Sequence, residues 1–419
     1  MPFIKRISLV LFSILCVVSQ LISKEIESIY PGFEDWWHSP NLIDYDGFRR
    51  KLSHDCGVQI VGYYGNDLLG NPVGGINKAF RYAQLVIFGV NISPAPTLGI
   101  PDYNFQVTGF DAQGKNLQND IGNAVPPATQ FSGVVPIGLY ELYIQYNSPQ
   151  NDWQLSLGRL SAATHFAVTP FAEHYVSLAF DGNPWSLGVS NTNFRGPPFS
   201  NWSLLIDYKL NPQWHISGGF IGSSSQSIND ENNKGVDFSW NPAKGTTFIL
   251  ELIYSWSFKD EENKLSGQLC VGGYYDTESF PMVSQKGTQQ GLAAVWIIAQ
   301  QHILNTNGAG NDGLSIWGSF AWTDPSSIAE VPYLISAGLA WQAPLPSRPN
   351  DALVLGAALG FFSKNLPNRD YEYDLELTYT LQLNPWFQLQ PTIQGILQPS
   401  GNASITDALV LGAGITILL

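Results

Sequence analysis

Only 13% of the 419 residues are Asp, Glu, Lys or Arg, against about 25% in an ordinary soluble domain. Yet 13 Trp, 18 Tyr and 23 Phe are too many for a disordered chain, which cannot bury apolar surface. A formal net charge of -14 argues against nucleic acid as a partner, and past the N-terminus no apolar run reaches the ~20 residues of a spanning helix. Residues 1–23 read as a secretory signal: Lys5 and Arg6 form the basic region and Ile7 to Val18 the apolar one. Cleavage is expected after Ser19 or Ser23, and Leu15 before Cys16 does not suit a lipoprotein signal. Residues 24–57 form an N-terminal segment with Trp36, Trp37 and a short helix that Asp46 is placed to cap, Phe48 and Leu52 sharing one side.

From residue 58 onward the pattern has period two. At 371–384 the odd positions are Tyr371, Tyr373, Leu375, Leu377, Tyr379, Leu381 and Leu383, and the even ones are Glu372, Asp374, Glu376, Thr378, Thr380, Gln382 and Asn384. The segments 202–210, 248–258 and 387–398 alternate in the same way. Sixteen strands are expected near 58–66, 79–92, 103–111, 138–147, 153–160, 202–211, 214–222, 246–258, 265–277, 291–304, 313–323, 332–343, 351–362, 371–384, 386–398 and 407–419. Many are about 10 residues or longer, the length a tilted membrane strand needs. Short links follow strands four, six, eight and fourteen and longer links follow strands three, five, seven and nine, as in a transmembrane up-and-down antiparallel β-barrel with short periplasmic turns and long outer loops. Reading 185–193 as a further strand would break that parity. The fold class is therefore all-β, a barrel of about 16 strands over 58–419 with a short N-terminal helical segment. Trp153, Trp214 and Trp386 follow short turns and are expected in an aromatic girdle at one interface.

At this point the sequence resembles the OprB-type carbohydrate-selective porins. The resemblance rests on residues 66–75, Gly114-Lys115-Asn116-Leu117 with Asp120-Ile121-Gly122-Asn123, residues 139–145, and Leu157-Gly158-Arg159-Leu160 with Phe166-Ala167. Residues 389–394 and 407–412 continue it in the same order. It departs at Asp44-Tyr45-Asp46-Gly47-Phe48-Arg49, where the family usually carries Asp-Trp-Gly-Gly-Leu-Arg, and at the terminal Leu419 in place of Phe. The resemblance implies a sixteen-stranded bacterial outer-membrane channel that passes sugars, with a third outer loop folded inward.

Candidate functional residues follow from parity. Expected on the pore wall are Gln59, Tyr63, Arg81, Glu141, Tyr143, Gln145, Asp207, Lys209, Glu251, Glu372, Asp374, Glu376, Gln388, Gln390 and Gln394. Carboxylates, amides and guanidinium groups suit sugar hydroxyls. Arg159, a candidate for substrate contact, conflicts with parity, because Trp153, Leu155 and Leu157 place it on the lipid face; either a bulge at Gly158 turns it inward or it sits at the outer rim. The link 161–201, expected to be the constriction loop, carries His165, Glu173, His174, Asp181, Trp185 and Arg195. The six His show no metal-ligand spacing on one element, and no catalytic constellation, cofactor or metal site is expected. Cys56 and Cys270 could pair in an oxidising compartment, although two separate thiols are the favoured reading because other pairing signals are absent. Carbohydrates and outer-membrane lipid are the partners implied, and a homo-oligomer is compatible with the pattern. A general or cation-leaning porin without sugar preference is the alternative. A secreted glycan-binding or glycan-cleaving β-protein is disfavoured by the long apolar rows.

Overall fold

The computed structural model describes residues 36–44, 47–130, 133, 135–191, 193–194, 196–222, 235–236, 238, 244–259, 264–284, 286–305 and 312–419. The signal reading, Tyr45, Asp46 and Arg195 lie outside the described residues. Helix α1 (Phe48–Cys56) leads into sixteen strands: β1 (Val58–Val73), β2 (Phe80–Ile92), β3 (Tyr103–Gly114), β4 (Val135–Asn147), β5 (Trp153–Leu160), β6 (Asn201–Lys209), β7 (Trp214–Gly222) and β8 (Thr246–Lys259). The rest are β9 (Lys264–Pro281), β10 (Thr288–Leu304), β11 (Gly313–Asp324), β12 (Tyr333–Gln342), β13 (Ala352–Phe361), β14 (Tyr371–Asn384), β15 (Phe387–Leu397) and β16 (Ala408–Leu418). Each pairs antiparallel with its neighbours in sequence, and β1 closes on β16 with Tyr63 opposite Leu418 and Leu68 opposite Ala413. Closure removes the free edge that a hydrocarbon environment does not tolerate.

Alternation sets the two faces. Leu250, Ile335 and Ile393 point outward and are 57%, 49% and 49% exposed, while the adjoining Ile249, Leu334 and Gln394 are buried. On β14 the even row Glu372, Asp374, Glu376, Thr378 and Thr380 is buried against the barrel's contents. Trp153 sits beside Tyr146, ring centroids 5.2 Å apart, and Trp214 beside Tyr254 at 4.5 Å, where the aromatic girdle was expected. Trp386 does not join them. It is buried against Trp36, at 4.9 Å, and Trp37, at 5.7 Å, so the N-terminal segment covers it.

Two local readings change. β1 runs on to Val73 through residues expected in a loop, because Asn71 ties the hairpin: its Nδ2 donates to Asn77 O at 2.8 Å and its Oδ1 accepts Ala79 N at 2.9 Å. The start of α1 has no side-chain cap at Gly47; the neighbouring Asp44 accepts Arg49 N at 3.0 Å instead. Residues 186–190 form a short helical turn rather than a strand, as the parity of the links requires. Cys56 is exposed and Cys270 buried, and both are free thiols.

Candidate functional site

The described residues of the outer links after β3 (115–134) and β5 (161–200), the second and third loops, turn into the barrel instead of capping it. The third loop brings its own apolar side chains. Phe166, Phe180, Trp185, Leu187 and Phe194 are buried in one cluster with the wall residues Trp296, Trp317, Val354 and Ala358. Small wall residues make room: a Cβ on Gly356 would meet the Phe180 ring at 2.8 Å, and one on Gly360 would meet Trp185 at 2.6 Å. The second loop packs Leu117 and Ile121 against Leu69, Val176 and Val410.

Carboxylates on the inner wall then fix both loops by accepting their backbone N–H groups. Glu141 accepts Ser161 N at 3.0 Å, Glu251 accepts Ala167 N at 2.7 Å, and Glu376 accepts Val176 N at 2.7 Å and Ser177 N at 3.0 Å. Glu372 accepts Ala124 N at 2.8 Å, and Asp67 accepts Gln130 N at 2.9 Å. Asp276 accepts Asn193 Nδ2 at 3.0 Å. A hydrogen bond to a charged acceptor contributes about 1.5–3 kcal/mol, and removing the acceptor strands a desolvated N–H. These contacts specify where the loops lie.

Glu141, Glu251, Glu372 and Glu376, expected on the pore wall, are thus on the inner face but covered by loops. Asp374 is buried between two of them, its Oδ2 without a hydrogen-bond partner among the described residues. Gln390 and Gln394 face inward and donate to Glu173 O and Pro127 O, at 2.8 and 2.9 Å. Arg159 is corrected. It stays on the outward face of β5 and is buried there, with Nη1 donating to Gly235 O at 2.6 Å and Nη2 to Ser200 O at 3.0 Å. A segment of the fourth loop covers it, so neither a bulge nor the pore is involved.

An open polar stretch of the wall lies along β2 to β7. The Arg81 guanidinium forks onto Asp120 of the second loop, at 2.8 and 3.0 Å, and keeps 41% of its side chain exposed. Tyr143 donates to Gln106 at 2.9 Å, and Gln106 to Glu141 at 3.2 Å, with Gln145 farther along the same face of β4. Asp207 accepts Ser217 Oγ at 2.5 Å and stands 3.6 Å from His215, beside the exposed Lys209. From the third loop, His165 faces this wall; burial lowers its pKa and the Asp207 charge opposes that. Asp181, with Asp67, Glu173 and Glu376 nearby, has its carboxyl pushed well above the usual range, first by burial. His174 lies 3.2 Å from Thr380 Oγ1 and 3.7 Å from the exposed Glu173. Below it a cavity of about 750 Å³ is lined by Asp312, Gln342, Asn350, Asp351 and Gln382 on the periplasmic side. Trp185 is a packing residue. Asp67, Gln106, Asp120 and Asp276 were missed. Asp67 had been read as loop, and the role of the others depends on chain-distant partners.

A closed sixteen-stranded barrel with an apolar belt, polar interior and two loops folded inside defines an outer-membrane porin. The family described as carbohydrate-selective porin, OprB family, matches residues 77–418, and the chain belongs to it. Porin B of Pseudomonas aeruginosa is 26% identical over 89% of this chain and 91% of its own. A putative porin, QuiX, of Acinetobacter baylyi is 24% identical over 90% and 93%. The fold is shared with the high-pH structure of Pseudomonas putida OprB, at a TM-score of 0.81 and 23% identity over 90% of this chain and 97% of that one.

Proposed function

We infer that this outer-membrane sugar porin selects its solutes where the second and third loops meet the inner wall of β2 to β7. The observation that carries the reading is the set of wall carboxylates holding both loops inside the barrel, which leaves one polar flank of the lumen open. On that flank Arg81 offers forked donors, Asp120 and Asp207 offer acceptors, and Gln106, Tyr143 and Gln145 offer both. Such a surface exchanges hydrogen bonds with a dehydrating sugar, so a hydroxyl-rich solute regains in the constriction part of what it loses in leaving water. The residues act by binding and by excluding volume, and no chemical step is assigned to them. Exposed Leu250, Ile335 and Ile393 on a closed barrel fit lipid contact and not a secreted glycan-active protein.

The test is swelling of liposomes that hold the purified protein. Neutral sugars should enter faster than linear solutes of equal size, and Arg81→Ala should reduce that preference while conductance stays equal or rises. Equal rates for sugars and size-matched solutes in the unaltered protein would refute the reading.

A further inference from the structure

Across the strand ring from the β2 to β7 flank, β11 to β13 are covered from within. Trp317, Leu334, Ala340, Val354 and Ala358 lie in one buried cluster with the third loop. Toward the periplasm that cover ends at His174, and the inward rows of β12 and β14 go on to Gln342 and Gln382. Both line the cavity of about 750 Å³ beneath His174, a volume within the ~300–1,000 Å³ of small-molecule sites.

The cavity has a fixed frame. Asp351, in the turn between β12 and β13, accepts Arg348 Nη2 at 2.9 Å, the Tyr379 hydroxyl at 2.8 Å and Gln382 N at 3.0 Å, which ties that turn to β14. The lining amides are committed far less. Gln382 Nε2 donates to Asn384 O at 2.7 Å, but its Oε1 makes no hydrogen bond among the described residues, and neither do the side chains of Gln342 and Asn350. Pro349 and Pro385 add rigid apolar rings to the lining. Asp312 and Asp351 are among the described lining residues, and no Lys or Arg is.

We propose that this cavity is a second station for sugar, on the periplasmic side of the third loop, which binds a neutral pyranose on its way out of the constriction. The inference rests on the reading of the chain as a sugar channel and adds a site on the opposite wall. The amides of Gln342 and Asn350 both donate to and accept from hydroxyls, and Gln382 Oε1 accepts. The proline rings cover the apolar CH face of the sugar, so polar and apolar surfaces are matched together. Asp351 is a positioning residue: its carboxylate is spent on Arg348, Tyr379 and the Gln382 backbone, and it acts by holding the amides in place. Two carboxylates and no lining cation set the station against acidic sugars.

The experiment uses the full chain in detergent with Cys56→Ser, which removes the exposed thiol. Pro346 lines the cavity, and the exposed Ser347 beside it does not. Glucose, as the probe, should slow the reaction of Pro346→Cys with a water-soluble thiol reagent several-fold and leave Ser347→Cys unchanged. Gluconate at the same concentration should protect neither. Adding Gln342→Ala with Gln382→Ala, in a barrel still heat-modifiable on gels, should raise the glucose needed for protection several-fold. If that pair fails to fold, Asn350→Ala alone should raise it. No protection at position 346, equal protection at 347, equal protection by gluconate, or protection that survives the alanine changes would overturn the proposal. Sugar preference in liposome swelling with an unprotected Pro346→Cys would remove this station and leave the constriction reading standing; protection without that preference would do the reverse.

Discussion

A carboxylate on the wall of a water-filled barrel can stay hydrated or can accept protein N–H groups, and Glu376 does the second. Its inward direction was legible from period two on β14. Its partners were not, because the N–H of Val176 lies 200 positions away in a loop without periodicity. Arg159 shows the same boundary: parity placed it outside, and only the fold could supply Gly235 O as its acceptor. Removing the Glu376 acceptor leaves two loop N–H groups, a cost of about 1–3 kcal/mol per unmatched group, borne by the loop and not by the strand ladder. Glu376→Ala should therefore give a folded barrel with noisier single-channel current and a looser size limit. Glu376→Gln keeps a neutral acceptor and should fall between. Identical current traces from all three proteins would show that the loop is held by its apolar contacts alone.

At the scale of elements, all sixteen strands were legible, because lipid outside and polar contents inside impose an alternating pattern. The inward course of the third loop came only from family resemblance, yet the strands carry a physical trace of it. The inner row of β13 is Ala352, Val354, Gly356, Ala358 and Gly360, apolar where a wetted wall would be polar, so something must cover it. Phe180 and Trp185 do. This alters what loop removal should do. Replacing the stretch from Thr164 to Phe199 with a short Gly/Ser link should raise conductance and admit larger oligosaccharides. It should also lower the temperature at which the barrel unfolds on gels, because Trp296, Trp317 and Val354 are then wetted, at about 1.5–3 kcal/mol for each large side chain. An unchanged unfolding temperature would show that the ladder alone sets stability.

For the molecule as a whole, closure by the last strand was legible, but the clamp beneath the seam was not. Arg49 of α1 donates to the carbonyls of Ile60 in β1 and Leu419 beyond β16, and Leu42 N donates to Leu418 O at 2.9 Å. Arg49→Ala should thus lower the unfolding temperature on gels without altering conductance; a protein of unchanged heat resistance would show the clamp to be dispensable. Charge is the other property of the whole channel. A formal charge of -14 and six acids among the inward candidates suggest cation preference. Five of those acids, Glu141, Glu251, Glu372, Asp374 and Glu376, are buried beneath the loops, and only Asp207 keeps an accessible side chain, 27% exposed. Facing solvent with it are Lys209, Glu173 and the Arg81–Asp120 pair. Opposite charges exposed to the lumen nearly balance, so a reversal potential in a salt gradient should show weak selectivity that fades at high ionic strength. Asp207→Asn should move it toward anions and Lys209→Gln toward cations. Glu141→Gln should leave it nearly unmoved, because that carboxylate is buried beneath Ser161 and Gln106. A shift with Glu141→Gln as large as that with Asp207→Asn would mean the loop-bound acids face the ions after all.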